Sequence, residues 1–245
     1  MGLMDHVADR LEASLRAVGT AHRAEGEKAY LRSGLDFTGT LVSDTRAAVK
    51  RIDVELGLDH DRLIGLVEAL WSKPVFERRL AAIMFLQRHP RLVSVADLPI
   101  LERLVRESRT WDLVDYLAVD VLGRILVADP AAISSEMDRW ASDDDFWIRR
   151  SSLLCELRPI RQGASLDRFL ARAEPMLVER EFFIRKAIGW VLREAGKRRP
   201  SEVVALLGPR THLASGVTLR EAVKYLPAAD AERLMTAYRE KRPVR

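Results

Sequence analysis

The sequence predicts an all-α protein, built as a right-handed α-solenoid of stacked helix pairs, and three observations carry that expectation. Apolar residues recur with the helical period of about 3.6 along nearly the whole chain, and no strand-like alternation persists. The breaks between periodic runs are short and carry Gly, Pro, Asp or Ser, as in Asp129-Pro130, Arg199-Pro200 and Gly208-Pro209. Helix-opening residues also repeat: Trp111, Trp147 and Phe183 each follow a polar break and lie 36 residues apart. One further step reaches Leu219, and one step back reaches Val75. A period in this range suits HEAT-like helix pairs, and no tetratricopeptide consensus is present. Stacked pairs curve, so corresponding helices are expected to line a concave groove.

Composition fits that architecture. The 245 residues, 48% apolar and 31% charged, can bury a substantial core as a single repeat domain spanning 1–245. The single cysteine, Cys155, excludes an internal disulfide and a cysteine-rich metal site; its place in Leu153-Leu154-Cys155 predicts a buried, inert thiol. No apolar run reaches the roughly 18 residues of a membrane span, and the charged opening MGLMDHVADRLEASL reads as a helix, so a cytoplasmic protein is expected. The net charge of +4 is uneven. Residues 1–146 hold 19 Lys/Arg against 25 Asp/Glu, and residues 147–245 hold 21 against 11. The basic C-terminal portion therefore offers a footprint for a polyanion, although solvated helix faces would look the same by charge alone.

Taken in order, periodic runs cover 5–18, 25–34, 44–57, 60–71, 75–89, 97–108 and 111–128, then 131–140, 145–158, 165–178, 182–197, 200–208, 217–226 and 229–240. Ser43-Asp44 and Ser142-Asp143-Asp144-Asp145 read as N-cap clusters. In the run from Trp111, a turn of about 100° per residue puts Trp111, Val114, Leu117, Ala118, Val121, Leu122, Ile125 and Leu126 on one apolar arc. Asp112, Asp120 and Arg124 fall outside it, but Asp115 falls within. A carboxylate there has to be paired, shifted in pKa, or open to a groove that a ligand can enter. In the run from Phe183, Lys186, Trp190, Arg193 and Lys197 share a face. They read either as a nucleic-acid stripe with an aromatic among cations, or as a core tryptophan with a snorkelling rim. The histidines show no metal spacing, and 238–245 reads as a frayed basic tail.

Several of these stretches resemble the HEAT-like-repeat alkylpurine DNA glycosylases of the AlkD type. They are Arg109-Thr110-Trp111-Asp112-Leu113-Val114-Asp115, Phe146-Trp147-Ile148-Arg149-Arg150, and Glu181-Phe182-Phe183-Ile184-Arg185-Lys186-Ala187-Ile188-Gly189-Trp190-Val191-Leu192-Arg193-Glu194. Weaker likenesses run through Lys28-Ala29-Tyr30-Leu31-Arg32, Phe37-Thr38-Gly39 and Leu219-Arg220-Glu221-Ala222-Val223-Lys224. The resemblance implies a groove that holds duplex DNA and a hydrolase that cuts the N-glycosidic bond of cationic alkylated purines such as 3-methyladenine and 7-methylguanine. It puts the catalytic acid on Asp115, the cleft tryptophans on Trp111 and Trp190, an N-terminal aromatic on Tyr30 and a groove arginine on Arg150. Arg149, Lys186, Arg193 and Lys197 are the further cations expected to meet the DNA backbone. Two departures stand out: Thr110 occupies the place of a second aromatic, and Val42-Ser43 stand where prolines are common.

The implied chemistry suits these residue types. A cationic purine leaves as a neutral base, so the barrier lies in oxocarbenium character on the sugar. A fixed carboxylate stabilises that charge and positions water, and indole faces favour a cation while excluding bulk solvent. No metal, cofactor or obligate protein partner is called for, so a monomer acting on alkylated duplex DNA, associated with the nucleoid when bound, is expected. The alternative is a non-catalytic helical-repeat module that binds nucleic acid or a protein.

Overall fold

A helix with eleven consecutive buried residues, from Phe76 to Leu86, anchors the N-terminal half. The computed structural model describes residues 2–240, and the part of the expected tail at 241–245 lies outside them. Two compact units are present, Met1–Val121 and Leu122–Arg245. The first contains α1 (Leu3–Arg16), α2 (Ala21–Leu31), α3 (Val42–Leu56), α4 (His60–Trp71), α5 (Phe76–Arg88), α6 (Leu98–Ser108) and α7 (Trp111–Tyr116). Helices α1, α3, α4 and α7 pack on α5, which explains why its whole surface is covered.

Covering α5 on every side forces three charged residues below the surface, and each needs partners there. Glu77 is fully buried and accepts backbone N–H bonds from Thr38 at 2.9 Å, Gly39 at 2.8 Å and Thr40 at 3.2 Å. It thereby fixes the loop after α2. Gly39 is required in that loop: its φ is 72°, and an added Cβ would lie 2.1 Å from the Thr20 carbonyl oxygen. Arg78 spans Glu12 at 2.5 Å and Asp9 at 3.0 Å and also donates to the carbonyls of Ala69 and Leu70. Arg79 lies 5.0 Å over the Trp71 ring and donates to the Glu107 carbonyl.

The second unit contains α8 (Gly123–Ala128), α9 (Pro130–Ala141), α10 (Phe146–Leu154), α11 (Leu157–Arg161), α12 (Asp167–Met176), α13 (Phe182–Gly196), α14 (Pro200–Leu207), α15 (Gly216–Ala222) and α16 (Ala228–Glu240). Helix α10 packs on α9 and α13, and α13 packs on α15. The buried acid Glu156 accepts from Arg172 at 2.8 Å, and Arg172 reaches Asp138 at 2.7 Å. Cys155 beside it is buried, and burial pushes its thiol pKa up.

The fold is all-α: among the described residues the only strand-like feature is an isolated bridge between Asp36 and Val75. The 36-residue phase holds closely. Val75 caps α5, Trp111 opens α7, and α10 and α13 begin one residue ahead of Trp147 and Phe183. Leu219 lies three residues inside α15 rather than at its start.

Other boundaries move for local reasons. Helix α2 starts at Ala21, not 25, because Thr20 accepts from the Arg23 N–H, and it ends at Leu31 because Arg32 turns left-handed. Helix α3 starts at Val42 with Leu41 as its cap, so Asp44 sits in the first turn instead of capping. Asp145 does cap α10, accepting from the Trp147 N–H at 2.8 Å. The run 145–158 breaks at Cys155-Glu156 into α10 and α11. The run 111–128 is helical throughout but widens to a π-turn over Leu117–Leu122.

Cutting the chain at the structural boundary softens the charge contrast. Residues 1–121 hold 17 basic and 19 acidic residues, and 122–245 hold 23 and 17, because the acid-rich stretch 129–145 belongs to the second unit. Among the described residues no helix is long and apolar enough to cross a membrane, and no group of three or more His, Cys, Asp or Glu could hold a metal ion.

Glu77→Ala should cost at least about 3 kcal/mol of stability, because three backbone donors lose their acceptor in a dry interior. Urea unfolding with an unchanged m-value reads this directly.

Candidate functional site

In the first unit the sequence-predicted residues gather at the N-terminal turn of α7. Arg109 ends α6 in the left-handed conformation at φ 48°, the buried Thr110 follows, and Trp111 is the first residue of α7. Tyr30, one residue before the end of α2, is 73% exposed and meets Trp111 edge-to-face, with ring centroids 6.0 Å apart at 81°. Trp111 and Asp115 are each partly exposed, and the four-residue spacing puts both on one face of α7. The Asp115 carboxylate is thus not sealed beneath the apolar arc, whose members Val114, Leu117 and Ala118 are buried. The Thr110 hydroxyl is buried with no hydrogen-bond partner among the described residues.

Asp112 is the unforeseen member. Burial, then the charge of Asp115, then that of Glu27 push its carboxyl pKa up to about 6. The helix N-terminus pulls the other way, so desolvation and like charge outweigh the dipole here. Glu27 belongs to α2, one turn before Tyr30, so α2 brings both a ring to Trp111 and a charge toward Asp112. Tyr116, also on α7, has its phenol pKa raised by burial and by Asp112.

In the second unit α13 carries Lys186, Trp190 and Arg193 of the expected stripe, with Lys197 as its C-cap and Trp190 partly exposed. Its cations are tied to their neighbours. Glu221 of α15, with a side chain only 4% exposed, accepts from Lys186 at 2.5 Å, from Lys224 at 3.0 Å and from Arg193. Three cations around one acid leave an excess of positive charge. Lys186 has its pKa lowered, first by desolvation and then by Lys224, Arg193 and Arg150. Gly189 permits this arrangement: an added Cβ would lie 2.6 Å from the Glu221 Cβ and 2.9 Å from the Thr218 carbonyl oxygen. Lys197 pairs with Glu194 at 2.7 Å and lies 4.9 Å over the Tyr225 ring.

The two arginines of α10 sit deeper than a surface stripe would. Arg150 is 3% exposed, donates to the Phe183 carbonyl and lies 5.8 Å over the Phe183 ring. Arg149 pairs with Glu179 at 3.0 Å and donates to the carbonyls of Asp143 and Asp144. Both hold the start of one repeat against the next. Phe146, Trp147 and Phe183 cluster there, with the Trp147 and Phe183 rings 4.8 Å apart.

The profile of one family, described as DNA alkylation repair enzyme, matches residues 11–226, most of the chain. The chain belongs to that family. Solved structures share its fold. A predicted DNA alkylation repair enzyme from Enterococcus faecalis superposes with a TM-score of 0.78 at 23% identity, over 86% of this chain and 97% of its own. AlkD2 from Streptococcus mutans gives a TM-score of 0.65 at 14% identity, over 92% and 100%. The Pseudomonas fluorescens alkylpurine DNA glycosylase AlkC, bound to DNA containing an abasic site analogue, gives 0.54 at 16%, over 95% of this chain and 65% of its own. No curated protein sequence matches the chain.

Within this family member, sequence reasoning missed Asp112, because projection on an ideal helix puts it on the solvent side. Glu221 was passed over because its role depends on a partner helix. Asp112 allows a signed prediction. Its folded pKa exceeds the ordinary value near 3.8, so the native state holds the extra proton and loses stability as pH rises from about 4 to about 6. Asp112→Asn should stabilise the protein at pH 7.5 by on the order of 1–3 kcal/mol, with the gain fading below about pH 4 in thermal melts.

Proposed function

We propose that the protein is a DNA glycosylase that hydrolyses the N-glycosidic bond of cationic alkylated purines in duplex DNA. The observation that carries this reading is a partly exposed carboxylate, Asp115, one turn from a tryptophan that a second aromatic ring touches, in a chain of the DNA alkylation repair family. Asp115 stabilises the oxocarbenium character that develops at the sugar and orients the attacking water. Trp111 and Tyr30 supply aromatic surface beside it, and the role of Trp190 as a second cleft wall rests on the family resemblance. The leaving base carries its own positive charge, so no strong general acid is needed.

Duplex DNA as partner is supported by the excess of cations around Glu221 and by the DNA-bound AlkC structure. Lys186 and Arg193 are assigned to the backbone phosphates with Lys197 as an outlying contact, while Arg149 and Arg150 act by holding α10 against its neighbours. A monomer suffices for this chemistry.

Incubating methylated duplex DNA with the protein should liberate 3-methyladenine or 7-methylguanine. Asp115→Asn should slow release by about 10²–10³-fold, with affinity for duplex changed by no more than about threefold. Release of no base by the wild-type protein would overturn the reading. Lys186→Ala should weaken binding to damaged and undamaged duplex alike and lower the slope of log affinity against log salt by about 0.9. Arg150→Ala should instead show mainly as lost stability, of about 1–3 kcal/mol, in thermal or urea unfolding.

A further inference from the structure

The fold treats the two consecutive arginines of α5 differently. Arg78, 1% exposed, reaches two carboxylates, Asp9 and Glu12, and two backbone carbonyls. Arg79, 9% exposed, has no carboxylate within ion-pair distance among the described residues. Its Nη1 donates to the Glu107 carbonyl, and the guanidinium lies over the Trp71 ring. The Arg79 Nε–H is buried without an acceptor, as are the Trp71 Nε1–H and the hydroxyl of Thr110, three residues past Glu107. An arginine does not shed its proton to escape such a place, so the charge stays. Desolvation pushes its pKa down, the charge of Glu107 opposes that, and the charge of Arg109 adds to it. Glu107 is itself paired with Arg103 at 3.3 Å. An ordered water would satisfy the Nε–H and leave the charge unmatched, whereas an anion satisfies both.

Its place in the repeat indicates which anion. Arg79 stands 36 residues before Asp115, in the same phase that relates Val75 to Trp111. It is thus the counterpart of Asp115 in the preceding repeat, at the position where the later repeats have Ser151 and Ala187. Helices α5 and α7 pack against each other, which puts about 8–10 Å between their axes. Through the Glu107 carbonyl, Arg79 also holds the last turn of α6, just ahead of Trp111. A DNA strand carries a phosphate for about every 3.4 Å of its axis, so a strand whose sugar sits at Asp115 has phosphates one helix spacing away.

We propose that Arg79 binds a backbone phosphate of duplex DNA beside the nucleotide whose sugar Asp115 serves. The assignment rests on the reading of the Asp115 site as a DNA site. The Glu107 carbonyl and the Trp71 ring fix the plane of the guanidinium and use Nη1. The opposite edge, Nε and Nη2, makes no hydrogen bond among the described residues, and its two parallel donors match a phosphate. The buried cation is retained because it contributes binding that an apolar side chain cannot.

Two substitutions separate the charge from the fork. Arg79→Met, which removes both, should bind an undamaged duplex about 3- to 10-fold more weakly near 100 mM salt, with the slope of log affinity against log salt lowered by about 0.9. Arg79→Lys keeps the charge without the two parallel donors, so it should lose about 2- to 5-fold in affinity at a slope close to wild type. Arg91→Gln removes an exposed charge beyond the other end of α5 and should leave affinity within about twofold. A residue that merely fastens α5 to Glu107 and Trp71, with water on its free donors, would lower the melting temperature of Arg79→Met and leave affinity and salt slope at wild-type values below that temperature. That result overturns the proposal, as does a loss no greater than that of Arg91→Gln. If Arg79→Met does not fold, Arg79→Lys decides: weaker binding at the wild-type slope supports the phosphate contact, and wild-type affinity overturns it. Wild-type protein that binds duplex through Arg79 but releases no base would defeat the excision reading and leave this one standing. Base release with unaltered binding by the Arg79 variants would do the reverse.

Discussion

Removing a charge from water costs more than most single contacts return, and that constraint organises both units. Glu77 is buried against three backbone N–H groups, Arg78 against Asp9 and Glu12, Glu156 against Arg172, and Glu221 against Lys186, Arg193 and Lys224. In each case the buried group ties a helix to a neighbouring helix or loop, so charge satisfaction and packing are the same event. Asp112 is the exception. It loses solvent and gains two like charges, with no hydrogen bond or ion pair of its own among the described residues.

The architecture was readable in the sequence because its signal is redundant. The 36-residue phase of Val75, Trp111, Trp147 and Phe183 reports where helices start, and many apolar positions repeat the message. Asp115 stood out in the sequence for a related reason: a carboxylate on an apolar arc conflicts with the pattern around it. What escaped depends on one partner at a time. The π-turn at Leu117–Leu122 leaves no trace in an average period, and it spoils any projection that carries a fixed angle past Leu117. The burial of Arg150, which donates to the carbonyl of Phe183, 33 residues away, has no local signal in the sequence. The left-handed arginines were equally hidden, since no residue preference points to arginine at such a turn.

On the proposed glycosylase reading, chemistry at this site follows from what the leaving group already supplies. An alkylated purine brings its own positive charge, so the protein's contribution is to bear the charge that appears on the sugar. A partly exposed acid flanked by aromatic surface suits that task, and a strong proton donor is superfluous. The acids that favour a cationic sugar also repel the phosphates on either side of it.

The central claim is therefore that the charge of the base, not a proton from the protein, drives its departure. Comparing base release from two duplexes identical but for one nucleotide, 7-methylguanine in one and uncharged hypoxanthine in the other, tests it most directly. The account predicts release of 7-methylguanine and a rate for hypoxanthine lower by at least about 10²-fold, since neutral purines need the general acid that this site does not rely on. Comparable rates for the two, or release of hypoxanthine alone, would contradict it.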